Sequence, residues 1–357
     1  MRAWLGKWRP VLKLAVAVAI VGAVGWRFAR DLQRPELWER SFHPGWLALS
    51  GLLYLLGMSF WTAFWYRLLR LTGQQPTLPA AVRAYYLGLL GKYLPGKAWA
   101  LLLRATLARG RGVRLGVAGF TAFYEVLTTM TAGVLLAAVL FAVLLPDAGP
   151  AGHWSVLRHL LRKDGAEDVA PDRTGLVVLA VGLFVLLGTP IIPPVFSHIV
   201  RRLSSLNRMM AGERGEGEAP PLPHLGVRCV LEGLVLTSCG WLVLGSSLWA
   251  VLQAVLDRPQ PWEWPVWGRY TASLALAYVA SFVVLIVPSG IGVREFFLTV
   301  LLAPELGRAL GMAPVDARPI AILAVLLLRV VWTAAEIAMA GFVYWLPGPA
   351  AEAAVSS

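Results

Sequence analysis

The chain has 357 residues, of which 58% are hydrophobic and 15% are charged, and its formal net charge is +12. A soluble fold of this length could not bury so much apolar surface, so the sequence predicts an all-α polytopic membrane protein with a single membrane domain over residues 1–357. The basic residues are spread between apolar runs, which is a pattern of membrane orientation and argues against nucleic acid as a partner. The two cysteines and five histidines lack ligand spacing, so no metal, cofactor, disulfide or catalytic histidine is predicted.

Two spans open the chain. Basic residues precede an apolar run that ends at Phe28. This run exceeds the usual signal-peptide length and precedes a membrane-embedded chain, so we expect a retained first helix with a cytoplasmic N-terminus. A second span is predicted at residues 45–66. Its aromatic rings near the ends suit anchoring at the membrane interfaces: Trp46, Tyr54, Trp61, Trp65 and Tyr66.

The next apolar segment, residues 80–103, is interrupted by Lys92 and Lys97 and by the pair Pro95-Gly96. Proline removes a backbone donor and glycine frees the backbone, so this pair is predicted to be a break or hinge. Each arm would be roughly 21 Å long, too short for a hydrocarbon core of about 30 Å. Because arginines flank both ends, both ends are predicted to be cytoplasmic and the segment to be a re-entrant hairpin.

A third span is predicted at residues 115–145, with Glu125 inside it. The polar loop 146–173 is expected outside, and a fourth span follows at 174–196. A Gly/Glu/Pro-rich cytoplasmic linker is predicted at residues 199–225. A fifth span then follows at residues 226–256.

The second broken block covers residues 270–302. Its break is the motif Pro288-Ser289-Gly290-Ile291-Gly292-Val293-Arg294-Glu295, in which Pro288, Gly290 and Gly292 are the predicted hinge residues. After a loop predicted at 303–319, a last span at 320–346 carries Arg329 and Glu336.

The two halves, residues 11–145 and 174–346, follow the same order of three spans and one re-entrant Pro/Gly-broken hairpin. An odd number of crossings inverts the second half, and inverted repeats with broken helices are typical of transporters. Glu125 and Arg329 hold corresponding positions with opposite charge, so we expect them to face a common cavity. The segment after Arg329 has no Lys or Arg, so the positive-inside rule does not assign a side to the C-terminus. The sequence does not specify an oligomeric state.

Charged residues at membrane depth form the candidate substrate-binding site. Charge at this depth costs at least about 2.5 kcal/mol per residue unless it is paired or lines a watery cavity. Basic residues outnumber acidic ones, which predicts a site for an anion such as a lipid phosphate. The alternative for Lys92 and Arg104 is that they extend to the interface as anchors. The candidates are Lys92, Lys97, Arg104, Glu125, Arg294, Glu295, Arg329 and Glu336.

Several motifs resemble the lysylphosphatidylglycerol synthase transmembrane family, a flippase-like membrane domain. They are Leu94-Pro95-Gly96-Lys97 with Arg104, Tyr124-Glu125, and the Pro288 to Glu295 motif with Arg329. The resemblance covers about residues 44–346 and implies movement of an aminoacylated phospholipid or a lipid-linked saccharide between the leaflets of the cell inner membrane. Lys97 and Trp99 depart from the family pattern, so we expect a different headgroup.

The predicted function is therefore a lipid translocator. Some relatives are connected with polyprenyl-phosphate sugar transfer, which leaves an intramembrane enzyme on a lipid phosphate as the alternative. A subunit that only positions a partner is a third possibility. No soluble aminoacyl-transferase domain follows the last predicted span, so we expect a separately encoded enzyme to make the lipid.

Overall fold

The computed structural model describes residues 42–93, 99–109, 113–145, 173–211, 225–256, 259–283 and 292–345, without the side chains of 203–211. Within these ranges the chain forms ten α-helices and no strand. The helices are α1 (Pro44–Leu71), α2 (Leu78–Leu89), α3 (Trp99–Ala108), α4 (Leu115–Leu144), α5 (Arg173–Gly188), α6 (Pro193–Ala211), α7 (Val227–Val255), α8 (Trp264–Val283), α9 (Val293–Leu310) and α10 (Pro314–Trp345). Short 3₁₀ turns follow α2 at Leu90–Tyr93 and α5 at Thr189–Ile191.

Five of the six predicted spans are helices long and apolar enough to cross a membrane. They are α1, α4, α5 with its 3₁₀ turn, α7 and α10. The all-α, multi-pass class is thus confirmed. The predicted first span, at residues 11–28, lies outside the described residues.

Helices α2 and α3 are much shorter. They contain 12 and 10 residues, or about 18 and 15 Å of helix. Glycines let their backbones touch: a Cβ on Gly88 would lie 2.8 Å from the Cα of Arg104, and one on Gly91 would lie 2.7 Å from the backbone nitrogen of Ala100. The two arms therefore pack directly against each other, and the predicted break at Pro95-Gly96 lies in the undescribed residues between them.

Helices α8 and α9 also pack against each other, and the predicted break between them includes residues 284–291, which are not described. The prediction of a loop at residues 303–319 is wrong. Helix α9 continues through Pro304 to Leu310, because the residues after Pro304 are mostly good helix formers. Gly311, with φ of 66°, ends the helix in the left-handed conformation, and Pro314 begins α10.

The predicted linker at 199–225 is helical as far as Ala211, because α6 begins at Pro193. Phe196 anchors α6 to α4 through an edge-on contact with Tyr124, with ring centroids 4.7 Å apart. Residues 212–224 lie outside the described part of the chain.

Helices α1 and α7 lie antiparallel and pack against each other. The backbone nitrogen of His43 donates to the carbonyl of Ala254 at one end, and Arg67 pairs with Glu232 at the other. Small residues allow this close packing, since a Cβ on Gly57 would lie 3.1 Å from the carbonyl oxygen of Gly240.

The helix pairs α2–α3 and α8–α9 open toward opposite ends of α4. At the start of α4, the backbone nitrogen of Arg114 donates to Oε1 of Gln74, which precedes α2. At its other end, the carbonyl of Leu144 accepts a 3.3 Å hydrogen bond from Arg269 of α8. Helix α10 returns toward the first end, where Tyr344 lies 5.7 Å beneath the guanidinium of Arg83 in α2.

Candidate functional site

Glu336 of α10 lies at the meeting point of three elements. Its Oε1 accepts hydrogen bonds from Lys92 and from the hydroxyl of Tyr54, and its Oε2 accepts one of 2.8 Å from the hydroxyl of Tyr93. Helix α1 supplies Tyr54, and the 3₁₀ turn after α2 supplies Lys92 and Tyr93. The carboxylate therefore links the first helix pair to α10.

Glu295 lies at the start of α9 and is held by three donors. Arg329 and Arg294 donate to its Oε1 over 2.6 and 3.0 Å, and the backbone nitrogen of Gly292 donates to Oε2 over 2.8 Å. Gly292 has φ of 82°, which favours glycine, and Glu295 at the third helical position closes a capping interaction. The glycine in the motif thus has a local structural role.

Aromatic rings connect the surroundings of Glu295 with those of Glu336. The guanidinium of Arg294 lies 5.6 Å from the ring centres of both Tyr278 and Trp332. Trp332 in turn stacks on Tyr54, with centroids 4.6 Å apart. We call the combined set the central site: Tyr54, Lys92, Tyr93, Tyr278, Arg294, Glu295, Arg329, Trp332 and Glu336.

The cations of the central site are more accessible than its carboxylates. Side-chain exposure is 29% for Lys92 and for Arg329 and 19% for Arg294. It is only 1% for Glu336 and 3% for Glu295. An approaching ligand would therefore meet positive charge first, because the cations are more exposed than the carboxylates.

A separate ion pair is buried inside the protein. Nη1 of Arg104 in α3 lies 2.6 Å from Oε2 of Glu125 in α4, and the two side chains are 4% and 2% exposed. Tyr85 and Thr129 each donate to Oε1 of Glu125 over 3.2 Å, and the guanidinium lies 3.9 Å over the Tyr85 ring. Nε of Arg104 is buried without a hydrogen-bond partner among the described residues.

Trp241 lies between this pair and Tyr278 of the central site. The indole nitrogen of Trp241 donates to the carbonyl of Thr129 over 2.8 Å, and its ring lies 5.4 Å from that of Tyr278. Thr129 in turn donates to Glu125, and the Tyr278 ring lies 5.6 Å from the guanidinium of Arg294. The two charged regions are thus neighbours, separated by aromatic rings.

A family model described as "Lysylphosphatidylglycerol synthase TM region" matches residues 11–335. The chain belongs to the lysylphosphatidylglycerol synthase transmembrane family. Membership ties this membrane protein to lipid modification or transport. The match includes all charged residues of the central site except Glu336, which lies one position beyond it. No curated protein sequence and no solved structure shows significant similarity to the chain.

In this member of the family, the structure brings together five of the eight candidate residues. They are Lys92, Arg294, Glu295, Arg329 and Glu336. Arg104 and Glu125 pair with each other, so Glu125 and Arg329 have different partners. Lys92 and Arg104 point to carboxylates inside the protein, in contrast to the interfacial-anchor alternative. The remaining candidates lie outside the described residues: Lys97, Pro95, Gly96, Pro288 and Gly290.

The aromatic members of the site were not predicted from the sequence: Tyr54, Tyr93, Tyr278 and Trp332. A signal was present, because a tyrosine hydroxyl in the middle of an apolar span needs a hydrogen-bond partner. Glu305 was not predicted either. It is 2% exposed and is held by Arg269 at 2.6 Å and by Arg308, at the end where α8 and α9 open. The prediction of a loop at residues 303–319 had placed this carboxylate outside the membrane-embedded part of the chain.

The described residues contain no group of three or more His, Cys, Asp or Glu side chains that could hold a metal ion. The central site offers cationic donors and tyrosine hydroxyls, which can recognise an anion. Arginine provides a planar fork for two oxygens, and lysine provides a compact charge.

Proposed function

We propose that this protein is a lipid translocator that moves an anionic or phosphate-linked headgroup between leaflets through the central site. One observation carries the proposal: Lys92, Arg294 and Arg329 are partly accessible cations, bonded to two carboxylates that are almost fully buried. Phosphate oxygens accept charge-assisted hydrogen bonds from such groups. The lipid tails would remain in the bilayer while the headgroup crosses.

We also propose that the two helix pairs are re-entrant hairpins of two inverted repeats, at residues 11–145 and 174–346. Three contacts support this arrangement. The α2–α3 pair opens at the start of α4 beside Gln74, and the α8–α9 pair opens at the end of α4 beside Arg269. Between these ends, Lys92 of the first pair reaches Glu336 of the second half. Broken helices that meet at a repeat interface form the substrate sites of many transporters.

The proposed orientation follows from the charge distribution. Arginines near the open end of α2 and α3 favour a cytoplasmic location for that end, in the cell inner membrane, with the N-terminus on the same side. The contact between Arg83 and Tyr344 brings the end of α10 to this side as well. We therefore propose that α10 ends at the cytoplasmic face.

Lipid movement in reconstituted liposomes tests the proposed function. The purified protein would be incorporated into liposomes that contain phosphatidylglycerol labelled in one leaflet, with protein-free liposomes as the control. We expect the headgroup to exchange leaflets faster than in the control and without chemical change. A chemically changed headgroup would support an intramembrane enzyme instead, and exchange no faster than the control would overturn the proposal.

A further inference from the structure

The charges of the central site are arranged unequally with respect to a ligand. Glu295 is held by two arginines and a backbone amide. Glu336 is bonded to Lys92 and to two neutral tyrosine hydroxyls. Both carboxylates are thus already engaged by the protein, and neither is open to a positively charged group on a lipid.

An amine on the headgroup would meet unfavourable surroundings here. Its ammonium would lie among the accessible cations, and like charges repel most strongly where water is scarce. The nearest carboxylates are only 1% and 3% exposed and are already bonded to Lys92 and Arg329. A phosphate without an amine meets the same cations favourably, so the arrangement discriminates by charge.

We propose that the central site selects a phosphate-bearing lipid headgroup that lacks an amine, and that Lys92 sets this selectivity by masking Glu336. The inference rests on the proposed function and names the substrate class of the same site. Lys92 has this role because, among the described residues, it is the cation bonded to Glu336. Removing Arg294 or Arg329 would leave Glu295 with its other cation.

Neutralising Lys92 is therefore expected to expose a carboxylate to the ligand. In Lys92→Gln, Glu336 keeps its tyrosine hydroxyls but becomes available to an ammonium group. One charge-assisted hydrogen bond corresponds to roughly a tenfold or larger gain in affinity. The ratio of the affinity for phosphatidylglycerol to the affinity for lysyl-phosphatidylglycerol should fall by about this factor.

The test measures the rise in melting temperature of the detergent-solubilised protein as each of these two lipids is added. Wild type and Lys92→Arg should be protected at lower concentrations of phosphatidylglycerol than of the lysyl lipid. Lys92→Gln should lose or invert this order. The double variant Lys92→Gln/Glu336→Gln has no exposed carboxylate. The affinity for the lysyl lipid that Lys92→Gln gained should therefore be absent. Arg308→Gln is the matched control, because it removes one cation from buried Glu305 outside the site and should keep the wild-type order.

The outcomes separate selectivity from translocation. Equal protection of the wild type by both lipids would overturn the selectivity, as would an unchanged order in a folded Lys92→Gln variant. If Lys92→Gln does not fold, the selectivity is still tested by the wild type and the double variant. A wild type that is protected better by the lysyl lipid than by phosphatidylglycerol would contradict the inference. Selective protection without lipid movement in liposomes would overturn the translocator and leave the selectivity intact.

Discussion

Arg104 and Glu125 form an ion pair with 2.6 Å between Nη1 and Oε2, and both side chains are sealed from their surroundings. The pair of Arg329 and Glu295 has the same distance, but its arginine is 29% exposed. In the first pair the arginine precedes the α4 glutamate, and in the second the α9 glutamate precedes the arginine. The buried Arg104–Glu125 pair therefore has a structural role, whereas Arg329 of the second pair is accessible to a ligand.

Breaking the sealed pair should destabilise the protein. Removing one partner leaves a buried charge without compensation and costs about 3–5 kcal/mol. We expect Arg104→Gln and Glu125→Gln each to lower the melting temperature in detergent. The apolar double variant Arg104→Met/Glu125→Leu should recover much of the loss, because it leaves no buried charge. A double variant as unstable as the worse single variant would show that the pair does not act as a unit.

The partners of Arg329 can be tested by a double-mutant cycle. Arg329 bonds to Glu295 and not to Glu125, so Arg329→Gln should be non-additive with Glu295→Gln by about 0.5–3 kcal/mol. The same change combined with Glu125→Gln is the comparison and should be nearly additive. Melting curves of the five proteins, with wild type as reference, give both coupling energies. Stronger coupling to Glu125 would favour the common-cavity arrangement expected from the sequence.

Gly88 should be intolerant of a side chain because α2 and α3 touch there. A Cβ at Gly88 would lie 2.8 Å from the Cα and Cβ of Arg104, so Gly88→Ala should cost about 1–3 kcal/mol through overpacking. Gly116 in α4 has open space around its Cα. Gly116→Ala is the control and should stabilise by up to about 1 kcal/mol through helix propensity. Equal melting temperatures for the two variants would contradict the close packing.

The membrane orientation predicts which positions an impermeant thiol reagent reaches. In a background with Cys229→Ala and Cys239→Ala, the single changes Gln75→Cys, Arg109→Cys and Tyr344→Cys should react from one side. All three native residues are exposed and lie at the same end of the bundle. Glu263→Cys and Asp316→Cys, at the other end, should react from the opposite side. Labelling of Gln75→Cys and Arg109→Cys from different sides would refute the re-entrant hairpin.

The long apolar spans could be predicted from the sequence because their signal is local. Each is an uninterrupted run long enough to cross a bilayer, often bounded by aromatic residues or proline. The end of α9 could not be predicted in this way. Pro304 and Glu305 resemble loop residues locally, and only the contacts of Glu305 with two arginines explain why this carboxylate is buried in a helix.

The residue types of the site were predictable, but their pairing was not. Charged residues inside apolar segments are costly, so Lys92 and Glu336 could be selected one by one. Their bond joins positions 244 residues apart, and no local spacing encodes such a contact. The same holds for Tyr54, whose role depends on the distant α10.

Lipid movement by variants of the accessible arginine is the most direct test of a headgroup site at the centre of this protein. Arg329→Gln and Arg308→Gln would be reconstituted at equal density, and transfer of labelled phosphatidylglycerol between leaflets would be compared with wild type and protein-free liposomes. Loss of a charge-assisted hydrogen bond to phosphate should slow Arg329→Gln by roughly tenfold or more, whereas Arg308→Gln should move lipid at nearly the wild-type rate. A folded Arg329→Gln protein that transfers lipid as fast as wild type would show that the headgroup does not use the central site.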